Sequence, residues 1–281
     1  MSSERVQRFV FTLLGLATIV VVAPILLVIV YIVVQGIGVI DWTFLTAMPQ
    51  DGMKAGGILP AIVGTILLTL GTAIVCIPIG VGAAIYLAEY ARETWLTRLI
   101  RLAIINLAGI PSVVYGLFGL GLFVLFLQFG TSIVAGSLTL AILTLPIIIS
   151  TAEEAITSVP RAFRTVSASL GATKWQTVRH QVLPHALPGI LTGVILGLGR
   201  AAGETAPILF TVAAFFLPSL PHSPFDPTMA LPYHLFVIST QVPGMPVGIQ
   251  YGTALVLLGF VLSLVLVATL IRQRVRARRP W

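Results

Sequence analysis

Long apolar runs separated by short polar breaks set the pattern of this chain. Six runs approach or exceed the ~20 residues that cross a hydrocarbon core: residues 9–34, 59–88, 99–127, 132–150, 187–217 and 251–271. This predicts an all-α membrane protein with six transmembrane helices. The third and fourth runs are divided only by a turn at Gln128, Phe129 and Gly130. Residues 1–58 then hold the first helix and a loop, 59–271 the remaining five helices, and 272–281 a basic tail.

One polar break is unlike the rest. Residues 151–184 form an island long enough for two helices. Pro160, after Ser158, suits a first helical turn, where its missing donor is not needed. Phe163, Val166 and Leu170 then share one face, with Arg161 and Arg164 toward another. Gly171 is a natural stop, because glycine enters the left-handed region without steric cost. Thr173 and Gln176 make a T-x-x-Q capping box that starts a second helix. That helix is expected to run toward Leu183 and to end at Pro184. Such an island rests on anionic headgroups or inserts into a partner.

Composition fixes the solvent. The chain is 57% hydrophobic and 9% charged, with a mean hydropathy of +1.05, whereas soluble domains carry about 25% charged residues. The net charge is +7, and its placement is orderly. Arg5 and Arg8, then Arg92, Arg98 and Arg101, then Arg161, Arg164, Lys174 and Arg179, then Arg272, Arg274, Arg276, Arg278 and Arg279 all fall on alternate sides of the runs. The opposite loops offer only Lys54. The positive-inside rule therefore predicts cytoplasmic termini and a cytoplasmic island. No aromatic residues interleave with these cations as stacking platforms, which excludes a nucleic-acid partner. The lone Cys76 excludes a disulfide framework and a thiolate metal cluster. The first run exceeds the ~7–15 residues of a signal-peptide core, so it reads as a retained helix.

Smaller patterns add detail. Gly189, Gly193 and Gly197 have small-xxx-small spacing, a packing signal. Pro218, Pro221, Pro224, Pro227 and Pro232 rule out one regular helix between the last two runs. Leu220, Phe225, Met229, Leu231, Tyr233 and Phe236 lie in or near that connection. They are expected to rest on the membrane surface or on a partner.

The island also carries a resemblance. From Thr165 through Gly171 to Leu183-Pro184 it resembles the EAA loop of ABC importer permeases: E-A-A, three residues, Gly, nine residues, I-x-L-P. Gly171, Leu183 and Pro184 match in register; Thr165, Val166 and Ser167 stand at the E-A-A positions and Gln181 at the Ile position. GGILPAIVGTILLTL, IPIGVGAAIYLAEYA, IPSVVYGLFGLG and GRAAGETAPILF together resemble the phosphate importer permeases of the Pst system. Gly203-Glu204-Thr205-Ala206-Pro207 looks more like the PstA-type than the PstC-type subunit.

The resemblance implies a type I ABC importer permease fold in a bacterial inner membrane. It implies a second, PstC-type permease, a dimer of PstB-type ATPase subunits and a PstS-type extracytoplasmic phosphate-binding protein. It implies no cofactor. Coupling to the ATPase would rest on Arg161, Phe163, Arg164, Val166, Leu170, Gly171, Lys174, Leu183 and Pro184. The chain itself lacks a P-loop: Lys54 and Lys174, its only lysines, follow Met53 and Thr173 rather than glycine.

Arg200 and Glu204 lie four residues apart in the fifth run. A central arginine costs ~3 kcal/mol on insertion scales, so it should face the bundle or a watery path. Given the resemblance, the pair either lines a phosphate pathway or is a structural salt bridge. Thr205, Asn106 and Ser112 are further candidates for the pathway, and Pro207 predicts a kink. H-E-x-x-H and G-x-S-x-G are absent, and His180 and His185 are poorly spaced for shared metal ligation, so an intramembrane enzyme is disfavoured. The alternatives are import of another oxyanion and a self-contained secondary transporter. The latter often shows inverted repeats, and no convincing repeat is found.

Overall fold

The computed structural model describes residues 3–277. Arg278 and Arg279 of the expected tail lie outside the described residues. Among the described residues, five helices are long and apolar enough to cross a membrane: Val6–Val39, Leu59–Tyr90, Ile133–Thr157, Lys174–Gly203 and Val247–Val275. A sixth crossing is bent: Trp95–Ala108 and Ser112–Phe126 meet at 103°. The expected six helices are therefore five continuous spans and one broken pair.

The elements are α1 (Ser3–Gly36), α2 (Trp42–Thr46), β1 (Pro49–Gln50), β2 (Ala55–Gly56), α3 (Leu59–Ile85), α4 (Trp95–Ala108), α5 (Ser112–Gly119) and α6 (Ile133–Thr157). The island follows as α7 (Arg161–Ser169) and α8 (Lys174–Thr177). Then come α9 (Leu183–Gly203), α10 (Ala206–Thr211), α11 (Leu231–Thr240) and α12 (Val247–Ala277). Three π-helical turns prolong α3, α5 and α8: Tyr86–Tyr90, Leu120–Phe126 and Val178–Val182.

Local chemistry explains where the runs break. The run 99–127 was expected to form one transmembrane helix, but Pro111 lacks a donor and disfavours helical geometry at Ile110. The chain turns there, and the Tyr115 hydroxyl donates to Leu107 O at 2.7 Å across the bend. The run 187–217 stops at Gly203, with Glu204 extended at φ −74°, ψ 133°. Pro207 cannot donate to the carbonyl four residues back, Gly203, and its ring would clash with it. Hence Pro207 sits in the first turn of a new helix, α10, rather than at a kink. Pro184 likewise does not end the island's second helix. The π turn bonds Leu183 N–H to Val178 O, five residues back, so helix passes through Pro184 into α9.

The core is built around α6. Leu140, Ile148 and Ile156 on α6 are fully buried. A Cβ at Gly189, Gly193 or Gly197 would meet Ala155, Thr151 or Ile148 respectively. The glycine stripe is therefore the seam where α9 lies close against α6. By contrast α1 is exposed along most of its length. It meets α12 where Gly36 abuts the Tyr251 backbone and Tyr31 stacks edge-on with Tyr251 at 5.3 Å.

The end of the bundle opposite the island carries a loop-rich cap. Asp41 Oδ1 accepts from Phe44 N–H at 2.6 Å and starts α2. The β1–β2 ladder pairs Pro49 with Gly56 and Gln50 with Ala55. Phe44, Met53, Ile58, Met229, Leu231, Val237 and Ile238 form one buried cluster over the start of α3. This corrects the expectation for Met229 and Leu231: they fill the chain's own core. Phe225 and Phe236 do stay exposed. Thr65 Oγ1 stitches the cap to α3 by accepting from Leu231 N–H at 2.8 Å.

Candidate translocation pathway and coupling surface

Arg200 stands one turn before the break between α9 and α10. Its Nε donates to Glu204 Oε1 at 3.1 Å. The arginine side chain is 39% exposed and the glutamate 15%. Neither terminal nitrogen of Arg200 makes a hydrogen bond among the described residues. A guanidinium held by Nε presents its two outer nitrogens as a fork, the geometry that fits two oxygens of one oxyanion. Glu204 also backs onto a cavity of about 10 Å³ lined by Thr65 and Thr69 of α3, roughly the space of one water.

The bent pair lies beside this site. Gly116 of α5 faces Ala206, Pro207 and Phe210, so a side chain there would strike α10. Ser112 is half-buried one turn before Gly116, and Thr205 is half-buried beside Glu204. Asn106 is exposed near the end of α4, and no hydrogen bond joins it to Arg200. The structure thus brings Arg200, Glu204 and Thr205 together, sets Ser112 on the neighbouring helix, and leaves Asn106 apart.

The island forms as its chemistry dictates. Pro160 precedes α7 with φ −54°, ψ 137°. At its far end Gly171 has φ 81°. Gly171 N–H reaches Ala168 O and Ala172 N–H reaches Ser167 O, the paired bonds of a Schellman stop. The Thr173–Gln176 capping box has both of its hydrogen bonds. A cleft of about 690 Å³ opens between α7 and the second helix, lined by Phe163, Val166, Leu170, Gly171, Gln176 and His180, among others.

The faces of α7 differ from the expected ones. Val166 and Leu170 are 60% and 82% exposed. Phe163 instead turns inward onto the cluster of Ala84, Ala152, Ile156, Val182 and Ala186, with its ring 4.5 Å from that of His185. Arg164 also turns inward. Its Nε and Nη2 donate to Glu89 Oε1 at 2.9 and 2.6 Å, and Nη1 and Nη2 reach Val159 O and Ile156 O at 2.7 and 2.9 Å. Arg161 is exposed. Lys174 lies over the Tyr90 ring at 5.0 Å. Leu183 and Pro184 are half-buried at the start of α9. Phe163 and Arg164 thus anchor the island to the bundle, while Val166 and Leu170 are presented outward. Among the described residues no group of three or more His, Cys, Asp or Glu could hold a metal ion.

Residues 77–277 match the family described as binding-protein-dependent transport system inner membrane component. The chain belongs to this family. The probable ABC transporter permease protein YqgI of Bacillus subtilis is 31% identical over 252 residues, 86% of each chain. The phosphate transport system permease protein PstA 2 of Mycobacterium bovis is 34% identical over 263 residues, 93% of this chain and 85% of that one. Among solved structures, a bacterial ABC transporter importing the acidic polysaccharide alginate matches with a TM-score of 0.70 at 15% identity, over 96% of this chain and 98% of that one. The MetNI methionine ABC transporter, described as inward facing, matches with a TM-score of 0.64 at 17% identity, over 78% and 95%. The fold is therefore that of an ABC importer permease.

The roles of three residues of this permease escaped the sequence reading. Tyr115 bridges the bend, Glu89 receives Arg164, and Arg101 ties α4 to two glutamates. Its Nε lies 2.8 Å from Glu153 and its Nη1 3.0 Å from Glu93, and Nη2 donates to Leu87 O at 2.9 Å. The proline inside an apolar run was a usable signal for Tyr115's bend. Nothing in sequence spacing links Glu89 to Arg164.

Proposed function

We propose that this chain is one of two permease subunits of an ATP-driven phosphate importer. Its relatives' phosphate transport names support the substrate, and its own geometry supports a site for it. The observation that carries the reading is Arg200: an intramembrane guanidinium, partly exposed, held by Glu204 through Nε alone, with both outer nitrogens unused.

The chemistry follows from the charges. An unpaired arginine in a low-dielectric setting would grip a phosphate too strongly to release it. Glu204 offsets that charge and fixes the fork's direction. The site then attracts an oxyanion without trapping it. Tyr115 and Ser112 of α5 and Thr205 offer neutral hydroxyls nearby, and Asn106 lies farther along the same broken span. The break at Glu204 leaves helix-terminal backbone groups at this depth, tolerated in a membrane only where they line a cavity or pack on protein.

The island and both termini are cytoplasmic in this reading, and the loop-rich cap faces outward, where a phosphate-binding protein delivers its load. Val166, Leu170 and the cleft beside them receive a surface of the ATPase dimer, which supplies the energy this chain has no P-loop to capture. The second permease completes the pathway facing Arg200. Phosphate uptake by the complex reconstituted in vesicles tests the reading. Uptake should require ATP, survive an uncoupler, and be blocked by arsenate better than by sulfate or molybdate. Uptake that follows an ion gradient, or that sulfate or molybdate blocks best, would overturn it.

A further inference from the structure

Three cations from three separate elements converge on one short turn. The π-helical turn Tyr86–Tyr90 prolongs α3 by five residues. Glu89, with its side chain 8% exposed, takes the guanidinium of Arg164 from α7. Tyr90 carries the ammonium of Lys174 from α8. Leu87 O accepts from Arg101 of α4. Both arginines also reach α6: Arg164 at the carbonyl of Ile156 and at Val159 just beyond, Arg101 at Glu153.

We infer that this turn is the joint through which the island moves the broken span, with Glu89, Arg101 and Tyr90 as its positioning residues. The inference rests on the proposal that a separate ATPase drives the chain. The island's two helices each hold the turn by one side chain. They do not touch α4 by any ion pair or side-chain hydrogen bond among the described residues. The turn and the end of α6 are therefore what the island and α4 share, and only the turn takes a side chain from each of α4, α7 and α8. Beyond Arg101, α4 runs unbroken to Ala108, about 10 Å of rigid helix, and reaches the bend that Tyr115 bridges. The arm past that bend packs on α10, next to Glu204. A shift of α7 and α8 is handed to the turn, then to α4, then to the wall beside Arg200. A π turn suits this use. Its wider backbone is less regular than the helix around it, and such turns recur at functional sites. The joint is charged where the packing below it is apolar, so its contacts can exchange partners without opening a core.

The test uses the assembled complex in vesicles. It measures phosphate uptake, ATP hydrolysis and ATPase co-purification side by side. Glu89→Gln keeps the shape and removes the charge. Uptake per ATP hydrolysed should fall about tenfold, within the usual range of coupling between sites, while the ATPase still co-purifies and hydrolyses ATP. Glu89→Asp should restore part of that ratio. Adding Arg164→Gln to Glu89→Gln should worsen the ratio little, because the two act as one contact. If Glu89→Gln does not assemble, Tyr90→Leu, which disturbs only an exposed ring, should lower the ratio about twofold to fivefold. An unchanged ratio in the assembled variants, or uptake and hydrolysis falling in parallel, overturns the joint. A wild-type complex without ATP-dependent uptake would instead overturn the proposed function.

Discussion

The two ends of the bundle are built by different means. At the island end, Arg101, Arg164 and Lys174 meet Glu89, Glu93, Glu153, the Tyr90 ring and three backbone carbonyls. At the other end, the cap is a cluster of Phe44, Met53, Ile58, Met229, Leu231, Val237 and Ile238. Apolar burial is non-directional and is lost when the parts separate. Charged pairs add little net stability but fix one arrangement over another. The contrast places stiffness in the cap and directed, exchangeable contacts in the island.

Substitutions can break this comparison in graded steps. Leu231→Ala, at a fully buried position, should destabilise the cap by about 2–5 kcal/mol, read as a lower unfolding temperature in detergent, with the island's protease resistance unchanged. Acid should act on the same cap. His234 is 2% exposed, its Nδ1 has no partner, and burial pushes its imidazole down to about 4 from 6.5. The folded value lies below the unfolded one. The neutral form's stabilisation is therefore complete above pH 6.5 and is lost as pH falls from 6.5 toward 4. That loss is on the order of 3 kcal/mol. Hydrogen exchange of residues 229–240 should quicken over that window, and His234→Phe should abolish the response. Gly193→Val, at the seam facing Thr151, should cost about 1–3 kcal/mol by overpacking.

The island should respond more mildly in stability. Thr173→Ala removes one side of the capping box and should cost about 1 kcal/mol, seen as faster exchange at residues 174–177. Leu170→Ser changes an 82% exposed side chain and should leave stability within about 0.5 kcal/mol. Its effect belongs to the ATPase: co-purification should weaken. A large loss of stability from Leu170→Ser would mean that the outward face of α7 had been misread.

The sequence read the helices well because span length needs only uninterrupted apolar residues. It placed the island's capping box and its glycine stop correctly for a similar reason, since Gly171, Thr173 and Gln176 act within a few residues of themselves, whereas the stop expected at Pro184 is absent. The break at residues 109–111 was hidden by the apolarity around it. Ile110-Pro111 signalled it, but an apolar run of 29 residues outweighed a single proline. The early stop at Gly203 had the same origin in Pro207. Helical spacing grouped Phe163 with Val166 and Leu170 but could not say that one end of α7 leans on the bundle. Arg164 and Glu89 are 75 residues apart, and only the packing of α7 against α3 and α6 brings them together. The cap's apolar residues were assigned to an outside surface because span-based reading has no term for a core built from loops. At the candidate pathway, the Arg200–Glu204 pair was legible from its cost in lipid. The free outer nitrogens that make it a candidate anion site were not.

Everything proposed for transport passes through Arg200. Arg200→Gln in the reconstituted complex is the direct measurement, with assembly checked by co-purification of the second permease and the ATPase. The account predicts a fully assembled complex whose phosphate uptake falls at least about 100-fold, since two charge-assisted hydrogen bonds of about 1.5–3 kcal/mol each are lost. Normal uptake by Arg200→Gln, or a complex that no longer assembles, would contradict it and leave Arg200–Glu204 as a structural pair.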